Sequence, residues 1–236
     1  MPEPNSGGPG HRRPTNQWRR KCCVERELSK VPRLSLIRRW SPPSGGAFID
    51  AGFEEIIVPS IWEAATFLDK VGEENARMMW TFEDKGGRSC CLIPEVTGLL
   101  QETWRTSWRN KAAQEQRCSP EKACRDVFYT QRAYRYERPQ AGRYREFTQL
   151  GIEMLGSTDT DRAKTLLRTC LDAVGVDYRF DDAVARGLSY YVDAGFEAAV
   201  DSLGAQKQVA GGGAYAEGVG WAVGVDRLVL AKLKSA

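Results

Sequence analysis

The chain has 236 residues, 42% hydrophobic and 28% charged, which supplies one compact core. A formal net charge of +3 is too small to mark a nucleic-acid binder by itself, and no apolar run reaches the ~20 residues of a membrane span. A soluble, unanchored protein is expected. Seven cysteines without a CxxC pair argue against a disulfide framework or a zinc site and for reduced thiols in the cytoplasm. The one histidine is His11, so a core histidine cannot serve as acid, base or ligand.

The basic excess sits at the start, where Arg12, Arg13, Arg19, Arg20, Lys21, Arg26, Lys30, Arg33, Arg38 and Arg39 oppose only Glu3, Glu25 and Glu27. Residues 1–46 read as a basic, poorly ordered leader able to track phosphates. The run Ser41-Pro42-Pro43-Ser44-Gly45-Gly46 breaks regular structure and closes it, leaving 47–236 as the folded domain. Ile56-Ile57-Val58 is β-prone and stopped by Pro59. Residues 80–82 and 89–93 flank a turn at 84–87 and predict a hairpin. Over 95–110, Leu99, Leu100, Thr103, Trp104 and Trp108 fall roughly at helical spacing.

The central stretch predicts an antiparallel hairpin around a loop over 138–143 that carries Pro139 and Gly142. Alternation puts Ala133, Arg135 and Glu137 on one face of the incoming strand. On the return strand Phe147, Gln149, Gly151 and Glu153 share a face opposite Leu150, Ile152 and Met154. Such a polar row is either a solvated sheet surface or a ligand floor. Gly151, between Gln149 and Glu153, favours a hollow where a small ligand lies on the backbone.

A helix is expected over 161–173, strands over 176–192 and 194–200, and a turn or close backbone approach at Gly211-Gly212-Gly213. A strand over 220–225 then leads to a last helix capped by Asp226. Arg227 falls in its first turn, where free N–H groups attract anions. The sheet should be mostly antiparallel.

Tyr134 to Phe147, reading YRYERPQAGRYREF and continuing through Gln149 to Glu153, resembles the second motif of class II aminoacyl-tRNA synthetases of the histidyl type. Arg186-Gly187-Leu188-Ser189-Tyr190-Tyr191 resembles that family's histidine-binding signature, and Gly220 to Leu230 its third class motif. Gly52 to Pro59 is similar to the end of the first motif, and Pro94-Glu95-Val96-Thr97 to the amino-acid loop.

The resemblance implies an α+β fold with a mostly antiparallel six-stranded sheet flanked by helices, and a homodimer. It implies activation of histidine by ATP with Mg2+ to histidyl-adenylate, then transfer to the acceptor end of tRNA. It assigns Arg135 to the α-phosphate and substrate carboxylate, Glu137 and Phe147 to the adenine, and Arg143 and Arg227 to the β and γ phosphates. Arg186 steadies the reacting carboxylate and phosphate, so Arg135, Arg186 and Arg227 form the catalytic set, with no protein-held metal. Glu95, Thr97 and Gln149 take the amino group, and Glu153, Tyr190 and Tyr191 the imidazole. The residue types suit these tasks: guanidinium forks hold phosphate oxygens as charge accumulates. A carboxylate and a phenol together pair both ring nitrogens.

There are departures. Ile93 and Val96 stand where the family has Arg and Gly, Ser189 where it has Asp, and Ala214 and Ala216 where it has Arg and Asp around the tyrosine. About 26 residues separate Gly156 from Asp182, too few for the family's inserted domain, and no anticodon-binding domain fits after Arg227. The helix of the first motif, a dimer element, falls on Pro42, Pro43 and the glycines. The competing expectation is a non-catalytic histidine sensor resembling the synthetase-like regulatory subunit of ATP phosphoribosyltransferase; a third is activation for another acceptor. Retention of Arg135, Arg143, Arg186 and Arg227 favours the enzyme, since a sensor gains nothing from an ATP grip.

Overall fold

A computed structural model describes residues 45–68, 70–185, 187–193, 195–204 and 206–235. The chain divides into Met1–Arg39 and Trp40–Ala236, and the described residues all belong to the second unit. Residues 1–44 of the basic leader and Arg186 lie outside them.

A short helix α1 (Gly45–Asp50) leads into β1 (Glu54–Glu55), so Gly45 and Gly46 open a helix where a break was expected. Phe48 on α1 is buried against Phe128 and Trp221, and this packing outweighs the poor helix propensity of glycine. The β-prone run 56–58 is not a strand: Ile56 donates its N–H to Phe128 O at 2.9 Å, and pairing ends there.

Next come β2 (Ile61–Glu63), the short helices α2 (Ala65–Leu68) and α3 (Gly72–Arg77), and the expected hairpin of β3 (Trp80–Glu83) and β4 (Ser89–Leu92). These strands form a separate sheet in the order β2-β4-β3. The following helix is longer than its spacing predicts. It runs as α4 (Thr97–Thr103), a wide π turn (Trp104–Trp108) and α5 (Arg109–Gln116).

The main sheet is built on β5 (Arg125–Tyr134) and β6 (Glu146–Leu155), ten residues each and paired antiparallel from Arg125↔Leu155 to Tyr134↔Glu146. After α6 (Thr160–Val174) come β7 (Arg179–Val184), β8 (Gly195–Ala199), β9 (Gln208–Tyr215), β10 (Gly218–Gly224) and α7 (Val225–Lys234). The order is β1-β5-β6-β10-β9-β8-β7. The sheet therefore has seven strands, not six, and is mixed, since β1 runs parallel to β5.

The Gly211–213 run is strand, not turn. Without side chains it lies flat against β10: a Cβ on Gly212 would come within 2.4 Å of Gly220 O. Ala185 and residues 187–192 leave the sheet apart from an isolated bridge between Tyr191 and Tyr215. Gly224, not Asp226, holds the N-cap position of α7. The Asp226 carboxylate instead accepts the Thr148 N–H at 2.7 Å, tying the helix to β6.

Both faces of the main sheet are covered. One packs Phe128, Leu150, Ile152, Met154 and Trp221 against Leu167 and Leu171 of α6 and Leu228 of α7. The other packs Val127 and Tyr129 under Leu99 and Leu100 of α4. The Gly151–Glu153 end of the polar row on β6 is therefore buried beneath the start of α4 rather than solvated, while Phe147 and Gln149 stay half-buried. Leu167 is fully buried, so Leu167→Ala should lower stability by about 2–5 kcal/mol, read from urea unfolding midpoints.

Candidate active site

Two-residue periodicity on β6, together with the hairpin that joins it to β5, brings polar residues to one end of the sheet. There they line a cavity of about 660 Å³. Glu95 and Thr97 enter from the start of α4, Arg135, Glu137, Arg143, Phe147 and Gln149 from the central hairpin, and Tyr190, Tyr191 and Arg227 from the later segments. Ten of the expected site residues thus share one pocket.

The hairpin end is cationic. Arg135 Nε donates to Pro94 O at 3.0 Å, and its guanidinium lies 5.3 Å from the Phe147 ring. Burial pushes its pKa down while Glu95 and Glu137 oppose this; a guanidinium stays charged. Arg143 pairs with Glu137 at 2.5 Å. Arg227 reaches Gln206, donating to its Oε1 at 3.3 Å, while its buried Nε has no partner. Burial, then the charge of Arg143, push the Arg227 pKa down. Two cations held in mutual repulsion, one with an orphaned donor, suit a polyphosphate anion.

The opposite end is anionic and phenolic. Glu95 is buried; its Oε1 accepts the Gly98 N–H at 2.8 Å and its Oε2 the Tyr190 hydroxyl at 3.4 Å. Burial pushes its pKa up. Gln149 Oε1 is buried without a partner, an acceptor ready for an ammonium. A cationic amino group between these acceptors would satisfy both.

Glu153 is not on the pocket wall. It is fully buried, accepting hydroxyls from Thr97 at 2.6 Å and Tyr129 at 3.4 Å on Oε1 and from Tyr215 at 2.6 Å on Oε2. Its carboxylate folds over its cross-strand partner Gly220, where a Cβ would come within 1.8 Å of Oε2. The hollow expected over Gly151 is filled by Tyr129, whose hydroxyl would meet a Cβ there at 2.4 Å.

Tyr129 and Tyr215 were missed as site residues. Extending the alternation back from Arg135 reaches Tyr129, and Tyr215 lies two residues beyond Gly213; each was a usable signal. Tyr190 packs edge-on to Tyr215 and tilts against Tyr191. Ser189 donates its N–H and hydroxyl to Lys70 O at 3.1 and 2.9 Å, which anchors the signature segment where the family carries an aspartate.

A family model described as histidyl-tRNA synthetase matches residues 45–177, more than half the chain. The chain belongs to the histidyl-tRNA synthetase family. A histidine–tRNA ligase of Methanospirillum hungatei is 27% identical over 76% of the chain and 67% of its own length. One of Metallosphaera sedula is 37% identical, over 52% of the chain and 26% of its length. The chain thus spans about two thirds of the former's length.

Among solved structures, the apo histidyl-tRNA synthetase of S. aureus aligns with a TM-score of 0.63 at 23% identity, over 87% of this chain and 68% of that one. A protein described as an ATP phosphoribosyltransferase regulatory subunit/histidyl-tRNA synthetase, from Bacillus halodurans, aligns at 0.58 and 14% identity, over 77% and 74%. At these identities the likeness speaks for the fold, shared by both kinds of protein.

Burial pushes the Glu153 pKa from 4.5 to about 8, with Glu95 adding to the rise and the hydroxyls of Thr97, Tyr215 and Tyr129 opposing it. The unfolded chain releases this proton near 4.5 and the folded chain near 8. Its contribution to stability is full below the lower value and is lost as pH rises towards the upper one. Urea unfolding of the unliganded protein across that window should show Glu153→Gln with a flatter decline than the parent. Coinciding slopes would remove Glu153 as their source.

Proposed function

We propose that this chain activates histidine with ATP and transfers it to tRNA. The observation that carries the reading is one pocket with a cationic end at Arg135, Arg143 and Arg227 and an acceptor-rich end at Glu95, Thr97 and Gln149. An amino acid laid along it turns its carboxylate towards the arginines and its ammonium towards Glu95 and Gln149. This aligns a carboxylate oxygen with the α-phosphorus of ATP.

In the first step the carboxylate oxygen bonds to the α-phosphorus, the bond to the bridging oxygen breaks, and pyrophosphate leaves. Arg135 neutralises charge as it builds on the α-phosphate, a donor already held in place by Pro94 O and Phe147. Arg143 and Arg227 take the β and γ phosphates once they release Glu137 and Gln206, and the freed Glu137 and Phe147 meet the adenine. Arg186, outside the described residues, is assigned to the reacting carboxylate and phosphate through the signature it heads. In the second step the terminal ribose hydroxyl of tRNA attacks the activated acyl carbon, and AMP leaves.

Specificity rests on Tyr190 and Tyr191 at the wall with Glu153 behind them. Burial raises the Glu153 pKa, and its hydroxyl partners Thr97, Tyr129 and Tyr215 let it act on the imidazole pocket by holding those side chains in place. Magnesium belongs with the nucleotide, as a small hard cation satisfied by phosphate oxygens and water. Its chemistry there is to neutralise the β and γ phosphates as pyrophosphate departs. Cytoplasmic location and a homodimer complete the reading, and no helix among the described residues is long and apolar enough to cross a membrane.

The histidine-sensor alternative shares the fold and the acceptor-rich end; the arginine cluster sets the two readings apart. ATP–pyrophosphate exchange that requires histidine and stops on chelation of magnesium is expected. Histidine binding without exchange would decide for the sensor. Arg135→Ala should lower exchange by about 10²–10³-fold and weaken histidine binding by a smaller factor, since the same guanidinium faces the substrate carboxylate. Arg227→Ala should chiefly raise the KM for ATP, by about tenfold, as the loss of a charge-assisted phosphate contact predicts. Charging of bulk tRNA then tests the acceptor.

A further inference from the structure

Among the described residues the free cysteines are Cys90, Cys91, Cys118, Cys124 and Cys170. Cys90, Cys91 and Cys170 are buried, and burial pushes the thiols of Cys91 and Cys170 up to about 12. Buried, protonated thiols are poor nucleophiles. Cys124 is exposed and Cys118 partly so, and neither takes part in the chemistry above.

These two thiols converge on one atom. Cys118 Sγ and Cys124 Sγ lie 3.8 and 3.9 Å from the same acceptor, Gln116 Oε1. The backbone is shaped to bring them there. Arg117, the one non-glycine with positive φ among the described residues, at 52°, reverses the chain at the end of α5. Cys118 N–H donates back to Ala113 O at 3.0 Å. A single 3-10 turn, Pro120–Lys122, then returns the chain to the start of β5.

The Gln116 amide closes this loop by accepting the Cys124 N–H at 3.2 Å and donating to Cys124 O. Ala123 is wedged beneath, its carbonyl within 2.1 Å of where a Cβ on Gly156 would stand. Two cysteines six positions apart are thus held within a side chain's reach, one open to solvent and the other beside it.

We infer that Cys118 and Cys124 are a redox modification site, closing to an intramolecular disulfide when the protein meets a small disulfide oxidant such as oxidised glutathione. The exposed Cys124 thiolate attacks the oxidant's S–S bond, forming a mixed disulfide and releasing one glutathione thiolate. The Cys118 thiolate then attacks the Cys124 sulfur, the mixed disulfide breaks, and the second glutathione leaves. The two S–H protons end on the two glutathione thiols. The protein loses two electrons and the oxidant gains them. Closure requires both side chains to rotate off Gln116 Oε1 and the loop to settle into disulfide geometry.

The test treats the folded full chain with oxidised glutathione, alkylates the remaining thiols and digests with trypsin. Cleavage after Arg117, Lys122 and Arg125 separates 118–122 from 123–125. The expected product is these two peptides joined, lighter by two hydrogens, released by dithiothreitol, and formed at an unchanged rate on tenfold dilution of the protein. Cys118→Ser should instead retain glutathione on Cys124, and Cys124→Ser should leave Cys118 open to alkylation. Glutathione persisting on Cys124 of the parent, Cys124 joined to another cysteine, or both thiols fully alkylated would each overturn the inference.

Discussion

The carboxyl group of Glu153 is the constraint around which the site is arranged. It is fully buried within a seven-stranded sheet, and an ionisable group there needs hydrogen-bond partners from the protein. Thr97, Tyr129 and Tyr215 supply them from three different elements. The start of α4, strand β5 and strand β9 are thereby tied to one point on β6. Gly220 across the ladder has no side chain because the carboxylate occupies that space. A change at any of these positions moves the others.

From this anchor the pocket acquires its polarity. Glu95 and the tyrosines extend the acceptor-rich, phenolic region outward, while the hairpin loop carries its arginines to the other end. The arginines are already engaged: Arg143 holds Glu137 and Arg227 holds Gln206. In the proposed function, a polyphosphate would offer charged acceptors in place of one carboxylate and one amide, substituting stronger partners for weaker ones. It would also relieve the repulsion between Arg143 and Arg227.

Several departures from the family pattern find local accommodation. Ser189 secures its segment on the carbonyl of Lys70 rather than through a carboxylate. Ile93 is fully buried in the apolar cluster over the sheet with Val96 beside it, so the loop before α4 is held by packing where the family uses an arginine and a glycine. Tyr215, between Ala214 and Ala216, keeps its hydroxyl on Glu153 although both flanking charges are gone.

Local pattern alone determined the parts of the chain whose neighbours lie close in sequence. The β5–β6 hairpin, the β3–β4 hairpin and the amphipathic α6 were all legible from alternation, turn residues and helical period. The same pattern placed Arg135, Glu137, Phe147 and Gln149 near one another, since a hairpin fixes its own register. Three-dimensional packing decided the rest. Nothing local says that α4 covers the polar face of β6, so Glu153 read as a possible surface residue and Gly151 as an open floor. The glycine run of β9 read as either a turn or a close backbone approach, and the choice fell to the carbonyl of Gly220 and the ring of Tyr191, both distant in sequence. Tyr129 and Tyr215 joined the site for the same reason: a buried carboxyl group recruits its partners across strands, and only the folded chain brings those strands together.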